Sequence, residues 1–272
     1  SYFIEHCGLR KISDLSPAMP MEHVHYMQDR IKAGTLTIQA AHNFTSTLNC
    51  LCLLIFGHKG LWLSSSAHFG RRKHVRTAIP KGMDLDNVFN AAHEIEHNGY
   101  LTFSLFVFAI RGLGMRLREA ITQDYVRLLA SLNDKNEVRL YEGTKSGTGK
   151  RVERWVPVPD WLMEKLEQLA ALQGERRNLI PAALTRKQFN DKFYRQYRRV
   201  RDQHQLGKLH DLRACMACDW FYQLTGVKAP VFQQGRTSRD HERAARLKIS
   251  RRLGHRRADI TNAYISGLTD QK

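Results

Sequence analysis

Acidic residues are scarce in this chain: 26 Asp and Glu stand against 43 Lys and Arg in 272 residues, a formal net charge of +17. That imbalance makes a cationic or acid-seeking partner a poor fit and favours a polyanion, either nucleic acid or an anionic membrane surface. Long apolar runs are missing as well. The two most apolar stretches, "LNCLCLLIFG" from Leu48 and "LTFSLFVFAI" from Leu101, are about half of what spans a bilayer. Nothing resembles a secretory signal, so the membrane reading fails and nucleic acid remains. Cysteine is sparse. Five residues, an odd number with no dense framework, fit a reducing cytosol rather than a disulfide scaffold. Internal repeats and low-complexity tails are not seen. The chain opens on Ser1 rather than Met, the pattern of a fragment.

What is present divides into two regions. "MEHVHYMQDRIKAG" from Met21 and "TIQAAHNFTSTLNCLCLLIFG" from Thr37 carry the apolar spacing of amphipathic helices, with Gly34 and Gly57 as stops. "HFGRRKHVRTAIPKG", residues 68–82, is basic and broken by Gly and Pro, the composition of an exposed connector. A helical domain over residues 1–80 and a second domain over 82–272 follow. The second opens with helical patterns at 84–97 and 100–112. Two strand-like runs, "NEVRLYEGTK" and "RVERWVPVP", then flank the turn "SGTG", and helices return at 160–172 and 185–203. The fold class expected is mainly α with a small β-hairpin.

Two local patterns compete for chemistry and are set aside. "HEIEH", His93 to His97, has the spacing of a zinc-protease helix, but no third-ligand signature follows and it stops at Asn98-Gly99, so it reads as a solvated helix face. Cys215 and Cys218, with Cys50 and Cys52, have the spacing of redox or zinc half-sites, yet small apolar residues surround both pairs, the setting of buried structural thiols. No metal and no cofactor is expected.

Four short motifs in fixed order carry more weight: "GLGMRLREA" with Arg116, the hairpin "GTKSGTGK" with Lys145, "HDLR" from His210 to Arg213, and "LGHRRADITNAY" with His255 and Tyr264. Each alone reads as surface charge in a basic chain. Together, in this order and with nine residues from His255 to Tyr264, they resemble the tyrosine recombinase family, the phage-integrase-type enzymes of site-specific DNA recombination. The resemblance spans roughly residues 82–267, and the helical first region resembles the core-binding domain of that family. It implies Arg116 and Arg213 as catalytic arginines, Glu119 in the supporting acidic position, Lys145 as the hairpin lysine, His210 and His255 as the two histidines, and Tyr264 as the nucleophile.

The chemistry explains the residue types. Tyrosine attack on a phosphodiester builds negative charge on the phosphorane oxygens, which planar guanidiniums clamp in multidentate fashion. A free tyrosine has a pKa of about 10, so it needs a proton acceptor, the role of His210, or strong positive potential. In the roles the resemblance implies, Lys145 can protonate the leaving 5′ oxygen and His255 can hydrogen-bond the phosphate. The resemblance further implies a 3′-phosphotyrosyl intermediate, double-stranded DNA with specific core sites as partner, and a homotetramer on DNA. Accessory DNA-bending or directionality factors, a cytoplasmic and nucleoid-associated location, and a prokaryotic or phage-derived mobile element belong to the same expectation. Arg71, Arg72 and Lys73 in the connector, Lys150 on the return strand, and Arg243, Arg246 and Lys248 are expected to contact the DNA backbone.

Four departures from the family pattern stand out: Arg118 in place of a small residue, Ala214 after the "HDLR" box, a longer link over 227–252, and a short tail of eight residues after Tyr264, which implies a different assembly contact. Residues 228–257 hold ten Lys and Arg against two acids. A type IB topoisomerase shares the nucleophile logic, and a non-catalytic DNA-binding protein is the alternative from another class.

Overall fold

The computed structural model describes residues 7, 8, 10, 11, 14–71, 75–142 and 153–267. Two units separate, Ser1–Lys73 and His74–Lys272.

The first unit is helical. Helix α1 (Met19–Lys32) begins with Pro20 in its first turn, where a missing N–H costs nothing. Helix α2 (Ile38–Phe56) starts where the Thr37 hydroxyl accepts from the Ala40 amide at 3.2 Å, and it stops at Gly57 in the left-handed conformation. Ala41, Thr45, Leu48 and Cys52 recur at helical spacing along α2 and form its buried face against Val24 and Met27 of α1. A short α3 (Ser65–Phe69) adds Phe69 to this core. The buried Asn49 amide both donates to and accepts from the Leu63 backbone at 2.9 Å, which satisfies a polar group in the interior and pins the loop before α3.

Cys50 and Cys52 differ in environment: Cys52 is buried and Cys50 is exposed. Two residues along a helix turn through about 200°, so a C-x-C pair cannot share one face. This corrects the expectation of two buried pairs. The Cys215 and Cys218 thiols are both buried, and burial raises both pKa values, that of Cys215 to about 12.

The second unit is built around α5 (Leu101–Leu113), whose residues from Phe103 to Leu113 are all buried. A helix apolar all round belongs in the middle, and α5 packs against α4 (Leu85–His97), α8 (Asp160–Gln173) and α10 (Leu209–Thr225). Its one charge, Arg111, is paid for by an ion pair to Asp219 at 2.6 Å and a bond from Nε to the Gly82 carbonyl at 3.1 Å. Short helices α6 (Leu117–Thr122) and α7 (Tyr125–Leu129) lead to an antiparallel hairpin of β1 (Glu137–Arg139) and β2 (Trp155–Pro157), with Val138 opposite Val156. Helix α9 (Arg186–Arg201) is opened by a Thr185–Gln188 capping box. After α10 come a 3-10 turn (Pro230–Phe232), α11 (Arg239–Arg252), a second 3-10 turn (Ala258–Thr261) and the single-turn α12 (Asn262–Ile265).

Residues 75–82, which their composition marks as connector, belong to this second unit. The Arg76 amide bonds the Asn262 carbonyl at 2.8 Å, and the Cys215 thiol faces the carbonyls of Pro80 and Lys81. Gly82 has a positive φ, and a Cβ there would stand 2.6 Å from Leu212 Cδ2, so the chain can press onto α10 only without a side chain.

Candidate active site

Gly114 ends α5 with φ 58 and turns the chain onto α6, whose N-cap is Arg116 and whose third residue is Glu119. Glu119 is fully buried. Its Oε2 accepts from the Arg116 backbone at 2.7 Å and from Arg154 Nη1 at 2.7 Å, while its Oε1 accepts from Arg116 Nη1 at 2.5 Å. Arg213, in the first turns of α10, reaches the same carboxylate at 3.4 Å. Other donors of Arg154 and Arg213 go to backbone: Arg154 Nε to the Arg252 carbonyl at 2.5 Å, Arg213 Nη2 to the Leu253 carbonyl at 2.6 Å, and both side chains to the Gly114 carbonyl, while Arg116 makes no bond to a backbone carbonyl among the described contacts. Arg213 Nε is left to the Tyr264 hydroxyl, at 3.3 Å. His210 lies three residues before Arg213, on the same face of α10, and its ring centroid is 5.1 Å from that of Tyr264. Arg116 Nη2 stands 3.0 Å from His255 Nε2.

Three guanidiniums thus share one carboxylate, an excess of two positive charges, and two of the three are buried. Burial acts to raise the Glu119 pKa, but the charges of Arg154, Arg213 and Arg116 outweigh it and hold the carboxyl at about 2. Arg213 is lowered to about 10, chiefly by burial, and stays charged at neutral pH. His255 is pushed down to about 4 by burial and by Arg116, Arg213 and Arg154. It is therefore neutral at pH 7, and since Arg116 can only donate, His255 Nε2 accepts and its proton sits on Nδ1. His210 is an exposed residue, yet packing of its ring against the site and the charges of Arg213, Arg76 and Arg116 lower it to about 4 as well. Two neutral imidazoles and surplus buried positive charge make the site electrostatically suited to an anion.

No protein-family model and no curated protein matches the sequence. Solved structures do. The integrase of the Tn1549 transposon, determined with transposon right-end DNA, superposes with a TM-score of 0.54 at 11% identity, covering 95% of this chain and 83% of the other. The same integrase with circular-intermediate DNA gives 0.52 at 12% identity with the same coverage.

The chain has the tyrosine recombinase fold.

Within that fold the residues named from motif order fall into three groups. Arg116, Glu119, His210, Arg213, His255 and Tyr264 come together in one cluster of contacts. Lys145, Lys150, Arg72 and Lys73 lie outside the described residues. Arg71, Arg243 and Lys248 are exposed, as is Arg118.

Arg246 corrects its expected role. It is 1% exposed, bonded to Glu242 at 2.7 Å, to Thr261 and Asn262, and to the carbonyls of Ser266 and Gly267 at 3.0 and 2.8 Å. A side chain so committed has no donor to spare for DNA backbone. The segment 227–252 is likewise mostly helix, with one face of α11 buried. "HEIEH" stands on α4 with His93 and His97 exposed and Glu94 bonded to His204 at 2.6 Å. Among the described residues no group of three candidate metal ligands occurs.

Two residues that contact this cluster escaped sequence reading. Arg154 had a signal: strand alternation puts it in register with the buried Val156 and Val158. An inward charge on such a face asks for a buried partner, and Glu119 is that partner. Arg76 had none, since it stands in a stretch that reads as solvated connector.

Proposed function

We propose that the chain is a site-specific DNA recombinase that cuts and rejoins strands through a 3′-phosphotyrosyl bond to Tyr264. The observation that carries the reading is the Arg213 side chain, buried and shared between Glu119 and the Tyr264 hydroxyl, beside two further guanidiniums and two neutral histidines. A phosphodiester anion answers the excess charge.

In this reading Arg116 and Arg213 clamp the non-bridging phosphate oxygens, and the clamp tightens as charge grows on the phosphorane. Glu119 and Arg154 hold the two guanidiniums flat and fixed. Tyr264 Oη forms the new bond to phosphorus, its proton passing to His210, which is neutral and able to accept. The bond from phosphorus to O5′ breaks, and Lys145 supplies the proton to that oxygen. His255, donating through Nδ1, holds the phosphate. One phosphodiester is exchanged for another, so rejoining runs the same steps backwards with no external energy source. Four copies on two DNA sites, and a mobile element as their carrier, follow the family it resembles.

The test is a library of nicked duplexes with randomised cores, incubated with the protein and resolved on a denaturing gel. A covalent adduct is expected from the native chain and none from Tyr264→Phe, whose DNA affinity stays within about twofold because phosphate contacts dominate binding. An adduct from Tyr264→Phe overturns the assignment.

A further inference from the structure

The connector reaches the site. Arg76 lies three residues past the end of the first unit, and its side chain is 15% exposed. Its Nη1 pairs with Asp211 Oδ1 at 2.9 Å, its Nε donates to the Ala263 carbonyl at 3.4 Å, and its amide donates to the Asn262 carbonyl at 2.8 Å. Asp211 follows His210 directly and uses its other oxygen to cap α10 through the Lys208 amide at 2.9 Å. Asn262 and Ala263 directly precede Tyr264. One side chain therefore bridges the turn that carries the proposed base and the turn that carries the proposed nucleophile, and nothing else among the described contacts joins them by ion pair.

Resting on the cleavage reading above, we propose that Arg76 is a positioning residue of the reaction: from the connector, it holds the turn bearing Tyr264 in register with the first turn of α10, so that the phenol and the His210 imidazole stay within proton-transfer reach.

The geometry has an electrostatic companion. The charged groups facing His210 are Arg213 and Asp211 on its own helix, Arg116 at the N-terminus of α6, and Arg76 on the connector, with the Tyr264 ring alongside. The three arginines disfavour the imidazolium and Asp211 favours it. Removing Arg76 takes away a positive neighbour, so the imidazole gains proton affinity. Removing the Asp211 charge breaks the same ion pair but moves the proton affinity the other way. The two variants separate position from charge.

The experiment uses the full chain and a nicked duplex selected from the randomised library. It compares the native protein with Arg76→Ala, Arg76→Lys and Asp211→Asn. Readouts are the single-turnover adduct rate at saturating DNA, DNA affinity, and titration of the His210 ring by NMR without DNA. Arg76→Ala is expected to slow adduct formation on the order of 10- to 100-fold, the cost of a misplaced reacting group, with affinity within about twofold and His210 titrating at higher pH. Arg76→Lys retains the charge and restores part of the rate. Asp211→Asn, which keeps the oxygen that caps α10, slows the rate while His210 titrates at lower pH.

Arg76→Ala reacting at the native rate overturns the proposal, as does a rate loss matched by an equal loss of DNA affinity, which marks a plain phosphate contact. If Arg76→Ala does not fold, Asp211→Asn decides on the same readouts: native rate refutes, reduced rate supports. If the native chain forms no adduct with any duplex, the cleavage reading fails. The titration then judges the contact alone: an upward shift of His210 in Arg76→Ala upholds it and an unmoved His210 refutes it.

Discussion

Glu119 is the residue on which the site's electrostatics turn. Among the described residues it is the acid that three arginines share, and its carboxylate is fully enclosed. Removing one member of a buried ion network leaves the others uncompensated, at a cost of about 3–5 kcal/mol. Glu119→Gln is therefore expected to lose stability of that order in urea unfolding, although the amide is nearly isosteric. Its acid response also changes. The folded carboxyl is held at about 2, against about 4.3 in the unfolded chain. Its contribution is thus fully present above about pH 4.3 and lost as pH falls through about 2. The native protein loses stability across that window, and Glu119→Gln, having no proton to bind there, is expected to show a shallower acid dependence. Equal acid profiles for the two proteins exclude Glu119 as the charge that organises the arginines. Tyr264 occupies a comparable position among the proposed reacting groups: it is 4% exposed, and among the described residues Arg213 Nε donates to its hydroxyl and the His210 ring lies tilted beside it.

At the scale of elements, α11 separates what sequence shows from what it hides. Helices at 84–97, 100–112, 160–172 and 185–203 are legible because caps and apolar spacing bound them, and α4, α5, α8 and α9 lie within two residues of those limits. The hairpin is legible from its Gly-rich turn. Helix α11 is not, because its inward face includes Glu242 and Arg246 beside Ala245 and Ile249, so polarity conceals the amphipathic pattern. Glu242 and Arg246, four apart, neutralise each other on that face. The cluster is legible through motif order at six positions, while Arg154 and Arg76 are invisible to motifs since each contacts partners distant in the chain. Arg246→Ala is expected to cost about 3–5 kcal/mol by stranding Glu242 and to leave the salt dependence of DNA binding unchanged. Arg243→Ala with Lys248→Ala is expected to do the reverse, reducing the slope of log affinity against log salt by up to about 0.9 per lost contact. A changed salt slope in Arg246→Ala restores the side chain to the DNA surface.

Across the whole molecule the charge is uneven. The first unit holds eight Lys and Arg against four Asp and Glu, leaving +4, and the second carries the remaining +13. Long-range attraction for a polyanion thus centres on the unit that contains Glu119 and its arginines. Within that unit the chain around Tyr264 is tethered on both sides: Arg76 grips the carbonyls of Asn262 and Ala263 before it, and Arg246 those of Ser266 and Gly267 after it. With anchors so near, the phenol has side-chain rotation at its disposal but little backbone travel, and it answers to arginines of its own polypeptide. In the language of complementation, the proposed nucleophile and its proposed clamp form one cistron. A mixture of Tyr264→Phe and Arg116→Ala proteins is expected to yield no more adduct than either alone, since neither copy can lend its tyrosine to the other. Recovery in the mixture requires that the double tether release. On the proposed cleavage reading, the unit of cleavage is the single copy, whatever number of copies the proposed exchange of strands demands.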